Sequence, residues 1–212
     1  MRRATRVLLV VLSGVVFLSV CAQAVAMTEV GIQVHLTHNP LFSEGKLRLA
    51  LGVGAYCKLA LADRWTMRAE LGNPLVALYP QFGVAVTYAL GGRFAIEGQL
   101  WARTDFRDVL YVTLNTGGRM VLAGSETSRL ILSSFPFALI GFRGWQEGMS
   151  FFPRATANVY LDYSWLASEH VILGQAIGVS LSRLGPDVER VFPLGEMYGL
   201  LLDSITRAGY RP

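Results

Sequence analysis

Charged and hydrogen-bonding side chains recur in this chain at every second residue, not in compact clusters. Arg48 and Lys58 alternate with apolar neighbours, as do Arg68 with Glu70, Glu97 with Gln99 and Arg103, and Asp162 with its flanking residues. In extended chain, period two puts such a set on one face. The chemistry that face offers is ionic: carboxylates and cations lining an interior. An isolated buried charge is very costly, so groups enclosed in a narrow space are expected to pair. A salt-bridged filling is the first reading, and a polar path for a small solute is the alternative.

Covalent chemistry has little support. The histidines are His35, His38 and His170, and none has a neighbour at metal-ligand spacing. By alternation His35 shares the face of the charged set, His38 begins a loop and His170 sits in a turn. His38 or His170 beside a serine is the arrangement a lipid-modifying enzyme would use, but no motif sets a nucleophile against a base. Neither a P-loop nor a dinucleotide fingerprint occurs, and Gly91-Gly92 and Gly117-Gly118 read as turn material. No catalytic residue, metal or cofactor is assigned.

The elements that carry the charged face are hairpins. Phe82–Arg103 alternates, pauses at Gly91-Gly92-Arg93 and alternates again, the signature of two strands about a glycine turn. A three-residue turn pairs Leu90 with Phe94, Tyr88 with Ile96, Val84 with Leu100 and Phe82 with Ala102. The opposite face pairs Thr87 with Glu97, Ala85 with Gln99 and Gly83 with Trp101. One face is then wholly apolar, so pattern and register agree. Lys46–Leu61 places an apolar residue at every odd position, and a turn at Ala62-Asp63-Arg64 pairs Leu61 with Trp65, Cys57 with Ala69 and Tyr56 with Glu70. A third hairpin, 154–167 with 171–183 about Ser168-Glu169-His170, pairs Trp165 with Leu173, Asp162 with Ala176 and Tyr160 with Gly178.

The remaining segments are read the same way. Glu29–Thr37 is a first strand. Val109–Ala123 is ambiguous, with 117–119 and 125–128 as competing turns. Arg129–Phe142 is extended, and Pro136 implies a bulge or an edge. Longer connections fall at 38–45, 73–81, 104–108 and 144–153. At the C-terminus, Phe192–Asp203 supplies a last strand or the start of a helix. Placing 62–64, 91–93, 124–128 and 168–170 on one side gives ten strands in up-and-down order, with eight as the alternative.

Of the 212 residues 52% are hydrophobic and only 16% charged, against roughly 25% charged in a soluble domain. Arg2, Arg3 and Arg6 account for most of the net charge of +4; without the first 26 residues, sixteen basic residues face fifteen acidic ones. Nucleic acid is therefore not an expected partner. Residues 1–26 read as a secretory signal, with Arg2-Arg3 and Arg6 as n-region, Val7–Val20 as apolar core and Ala24-Val25-Ala26 as small-x-small end. Val7–Ala26 is also long enough for a membrane anchor, but the small-residue end favours cleavage. Cleavage would leave Cys57 as the sole cysteine, packing as a small apolar residue. Residues 27–212 are then one domain.

Three features point the apolar face towards lipid. The face opposite it is too rich in glycine and alanine for a solvated surface. Trp65, Tyr88, Phe94 and Trp165 lie on the apolar face close to the short turns, where one aromatic girdle of a membrane barrel falls. Short turns also alternate with longer loops. With the signal segment and stretches such as GGRFAIEGQLWAR and LADRWTMRAELG, the chain resembles small bacterial outer-membrane β-barrels of the OmpA-barrel and OmpW kind. The resemblance implies an all-β, antiparallel up-and-down transmembrane barrel in contact with outer-membrane lipid. Such barrels commonly end on a strand with a terminal aromatic, whereas this chain ends Ala208-Gly209-Tyr210-Arg211-Pro212. The function expected is a structural or interaction barrel, with outer loops 73–81 and 144–153 as contact surfaces. A narrow channel for small or apolar solutes, a lipid-modifying enzyme and a soluble secreted barrel stand as alternatives.

Overall fold

The computed structural model describes residues 27–39, 48–74, 81–104, 109–144, 147–183 and 198–212. Residues 40–47, 75–80, 105–108, 145–146 and 184–197 lie outside the described residues, as do residues 1–26, where a signal segment is expected. Ten strands follow in order: β1 (Met27–Asn39), β2 (Arg48–Ala62), β3 (Trp65–Pro74), β4 (Gln81–Gly91), β5 (Phe94–Thr104), β6 (Val109–Gly124), β7 (Ser128–Gly144), β8 (Glu147–Leu166), β9 (Val171–Arg183) and β10 (Tyr198–Tyr210). Each pairs antiparallel with its neighbours, and β1 pairs with β10 from Val30↔Tyr210 to His38↔Leu202. The sheet is thus a closed ten-stranded barrel, and closure removes the unpaired edges an open sheet would expose.

The three hairpin registers stand over most of their length. Val84↔Leu100, Gly83↔Trp101, Cys57↔Ala69, Tyr56↔Glu70, Trp165↔Leu173 and Asp162↔Ala176 all pair as alternation requires. Two turns are tighter than expected. Gly91 pairs with Phe94, and Ala62 with Trp65, with a register shift just before each. Leu90 and Leu61 are therefore not paired with Phe94 and Trp65. Gly91 (φ 125°) and Gly92 (φ 58°) supply the left-handed backbone that the first of these turns needs.

Four further expectations are corrected. Gly117-Gly118, read as turn material, lies inside β6, while the turn chosen at 124–128 stands: it falls at Ser125–Thr127, where the Ser125 Oγ accepts from the backbone N–H groups of Thr127 and Ser128. Glycine is needed at 117 because a Cβ there would overlap the Ser134 carbonyl and, beyond it, Phe135. Segment 147–153 is strand and not loop, so β7 and β8 make a ribbon of 17 and 20 residues. His38 belongs to β1. The last strand is displaced towards the C-terminus and ends on Tyr210, with no helix at 200–205. Pro136 does mark a bulge, since the register shifts between Phe135 and Phe137.

The two faces differ sharply. Ile32, Phe82, Ile96, Leu100, Leu161 and Ile177 point outward and are exposed. Glu29, Gln33, Tyr56, Glu70, Glu97, Phe135 and Arg207 point inward and are buried. Cys57 and Ala69 are outward-parity exceptions, buried with Met27 and Val30 packed beside them. Cys57 is disulfide-bonded in the uncleaved chain; the lone packing thiol is the expectation for the chain after cleavage. The chain's other cysteine, Cys21, lies outside the described residues.

Candidate functional site

The inward face is organised in three sectors, each tied to its own neighbouring strands. In the first, β1–β3, Lys58 Nζ and the Tyr56 hydroxyl both reach Glu29 at 2.6 Å. Arg68 Nε lies 2.6 Å from Glu70, and Gln33 bridges the two by donating to Glu70 at 2.6 Å and accepting from Arg68. The Arg68 guanidinium sits over the Tyr56 ring, 4.8 Å from its centroid. The Tyr56 hydroxyl lies so close to Gly31 and Gly209 that a Cβ at either would overlap it. This tyrosine therefore crosses the β1–β10 seam.

The second sector spans β4–β6. Glu97 accepts from Thr87 at 2.8 Å, Gln99 at 2.7 Å and Arg119 at 2.7 Å. Gln99 in turn accepts from the Trp101 indole at 3.3 Å. Multiple donors on one carboxylate hold its charge without water. In the third sector, Arg207 on β10 pairs with Asp162 on β8, and Tyr160 donates to Asp203 at 3.2 Å. These contacts pass over β9, whose inward residues at this level are Gly174, Ala176 and Gly178; a Cβ at 174 would meet Arg207, and one at 178 would overlap Tyr160. Small residues on the middle strand let the outer two meet.

The expected lumen residues thus divide. Arg68 with Glu70, and Glu97 with Gln99, are brought together, each in its own sector. Asp162 pairs outside the expected set, with Arg207. The side chains of Arg48 and Arg103 lie outside the described residues, as does that of His38. His35 is inward, and its Nε2 is buried without a hydrogen bond. His170 lies in its turn, its Nδ1 3.1 Å from the Arg211 carbonyl. Glu29, Gln33, Tyr56, Arg119 and Arg207 complete the network and were not anticipated as site residues. Odd parity on the first strand would have identified Glu29 and Gln33, but Arg207 was hidden by the misplaced last strand.

Among the described residues, all eight members of the four ion pairs lie within five residues of the turn-side end of their strands. Around the same end, outside, Trp65 meets Tyr88 at 4.6 Å and Trp165 stacks on Tyr163 at 5.4 Å. Phe94 is exposed there too. His170 and Tyr210 add a further ring pair at 5.5 Å. No group of three metal-ligating side chains occurs among the described residues.

No protein-family model and no curated protein matches the sequence. Among solved structures, the chain is similar to the translocator domain of the autotransporter NalP from Neisseria meningitidis, at 10% identity and a TM-score of 0.48 over 94% of each chain. It is similar to KdgM porin in complex with disordered oligogalacturonate, at 8% identity and a TM-score of 0.43, over 86% of this chain and 99% of that one. OmpT, an outer membrane protein of Vibrio cholerae, matches at 6% identity and a TM-score of 0.35, over 87% and 96%. Likenesses this distant say nothing of this chain's role.

Proposed function

We propose that this chain is an outer-membrane β-barrel of structural or interaction type whose lumen is filled at the turn end by paired charges. The observation that carries the reading is the inversion of a soluble protein's plan: apolar bulk such as Ile177 and Leu100 faces out, and the ion pairs face in. A soluble monomer rarely exposes apolar patches beyond a few hundred Å². Strands of 10 to 20 residues meet the roughly 9–11 residues a tilted strand needs to cross a bilayer. Trp65, Tyr88, Phe94 and Trp165 supply a girdle at the turn-side interface. The β7–β8 ribbon, longer than a crossing requires, offers a contact surface on the opposite side, together with loop 73–81.

Heat-modifiable migration in detergent and carbonate-resistant membrane association test the location; extraction as a soluble monomer would overturn it. Planar-bilayer recording tests the filling. Silence at high protein concentration is expected, and steady open steps would replace the filled lumen with a channel.

A further inference from the structure

One strip of the outer wall is polar. Gln175 on β9 pairs with Thr206 on β10, and both point outward with Ser204. The Gln175 amide donates to the Ser204 hydroxyl at 2.8 Å, and its carbonyl accepts from Thr206 at 2.7 Å. Apart from Gln175, no described outward-facing side chain between the strand ends is an amide or an ion. Leu173 and Ile177 flank the amide along β9, and Leu202 and Ala208 flank the hydroxyls along β10. Gln175 is the fifth residue of β9; at about 3.3 Å per residue and a tilt of about 40°, it lies roughly 10 Å in from the turn-side end. It has used one of its two N–H groups and one of two carbonyl lone pairs, and the others have no partner among the described residues. Beside low-standing Ser204, Thr206 and Ala208 rise Ile177, opposite Ser204, and Ile32, opposite Ala208. At 62% and 58% exposure they are among the three most open large apolar side chains described.

We propose that this strip is the face on which a second copy of the chain docks within the membrane. A polar group held in hydrocarbon costs free energy until its donors and acceptors are met. Two copies inserted in the same sense are related by a two-fold axis along the membrane normal, so a group near that axis meets its own counterpart at the same depth. An ionised side chain would repel its copy there. An amide with one spare donor and one spare acceptor is self-complementary: each Gln175 gives its N–H to the other's carbonyl. The same rotation sets Ile177 of one copy against Ile32 of the other, twice, over the low strip of β10. Small outward residues permit the close approach that membrane contacts require, and since lipid is as apolar as isoleucine, the amide pair supplies the specificity. This inference rests on the membrane reading above and adds a partner to it.

The test is sedimentation equilibrium of the folded protein in density-matched detergent micelles. A reversible monomer–dimer equilibrium is expected. Gln175→Leu, which keeps the bulk and removes the amide, should weaken the dimer roughly tenfold through its two reciprocal hydrogen bonds. Thr116→Val removes an outward hydroxyl on β6, away from the strip, and should leave the dimer constant at the parent value. A second measurement uses lipid vesicles and does not depend on Gln175→Leu folding. A photoreactive benzophenone side chain in place of Ile177 should cross-link two copies, whereas one in place of Leu100, on β5 across the barrel, should not. A parent that sediments as a monomer at every concentration, equal losses in the two variants, or equal cross-linking from both positions would overturn the docking face. Carbonate extraction separates the two readings: a monomer that stays in the membrane refutes the docking face alone, whereas a protein released in soluble form refutes the membrane reading itself.

Discussion

Strand β9 carries both walls of the barrel in alternate residues. Outward, Ile177 is 62% exposed, the most open of the large apolar side chains among the described residues. Inward, Gly174, Ala176 and Gly178 are buried, and Arg207, Asp162, Tyr160 and Asp203 close over them from the flanking strands. On the proposed membrane reading the outer wall tolerates bulk because lipid beside it would be fluid, whereas the inner wall admits bulk only where the next strand yields space. Polarity follows the same division, since an inward charge can find a partner across one strand and, on that reading, an outward charge would find only lipid.

That contrast can be broken most severely from inside. Asp162→Ala leaves Arg207 buried without its carboxylate, and both side chains of the pair are under 15% exposed. A loss of about 3–5 kcal/mol is expected, read from urea unfolding of the protein folded into lipid vesicles. An unchanged unfolding midpoint would show that water reaches the pair. Next comes the outer wall at mid-strand: Ile177→Arg should cost about 2–4 kcal/mol in the same assay, and a neutral result would argue against lipid on this face. Gly178→Val pushes a methyl-bearing side chain into the Tyr160 ring. An overpacking cost of about 1–3 kcal/mol follows, with altered near-ultraviolet dichroism from the displaced tyrosine. The smallest effect is expected at the rim. Lys58 pairs with the buried Glu29 but keeps 36% of its own side chain exposed, and Tyr56 still donates to that carboxylate, so Lys58→Met should cost only about 1 kcal/mol.

Legibility varied with the kind of contact involved. The hairpins β2–β3, β4–β5 and β8–β9 could be read residue by residue, because an apolar face and a short turn together leave a single register open. The choice between 117–119 and 125–128 could be made only from strand parity over the whole chain. The glycines at 117 and 118 imitate a turn, yet Gly117 is there for Phe135. The last strand was set too early because LLLDSI has neither clear alternation nor a breaker, and its place is decided by pairing with β1. Segment 147–153 looked like a loop from its glycine and charge, but the β7 partner makes it strand.

From the sequence alone came the period of two, the segregation of faces, the turn side, the ten-strand count and the inward place of Arg68, Glu70, Glu97, Gln99 and Asp162. These are local properties: side chains alternate across extended backbone whatever lies beside it. Which charge meets which was decided only by the tertiary structure. Arg207 reaches Asp162 because β9 between them is small, and Tyr56 crosses the seam because Gly31 and Gly209 leave it room. Such contacts join residues 45 or more positions apart or span the junction of the first and last strands, so they exist only once the barrel has closed.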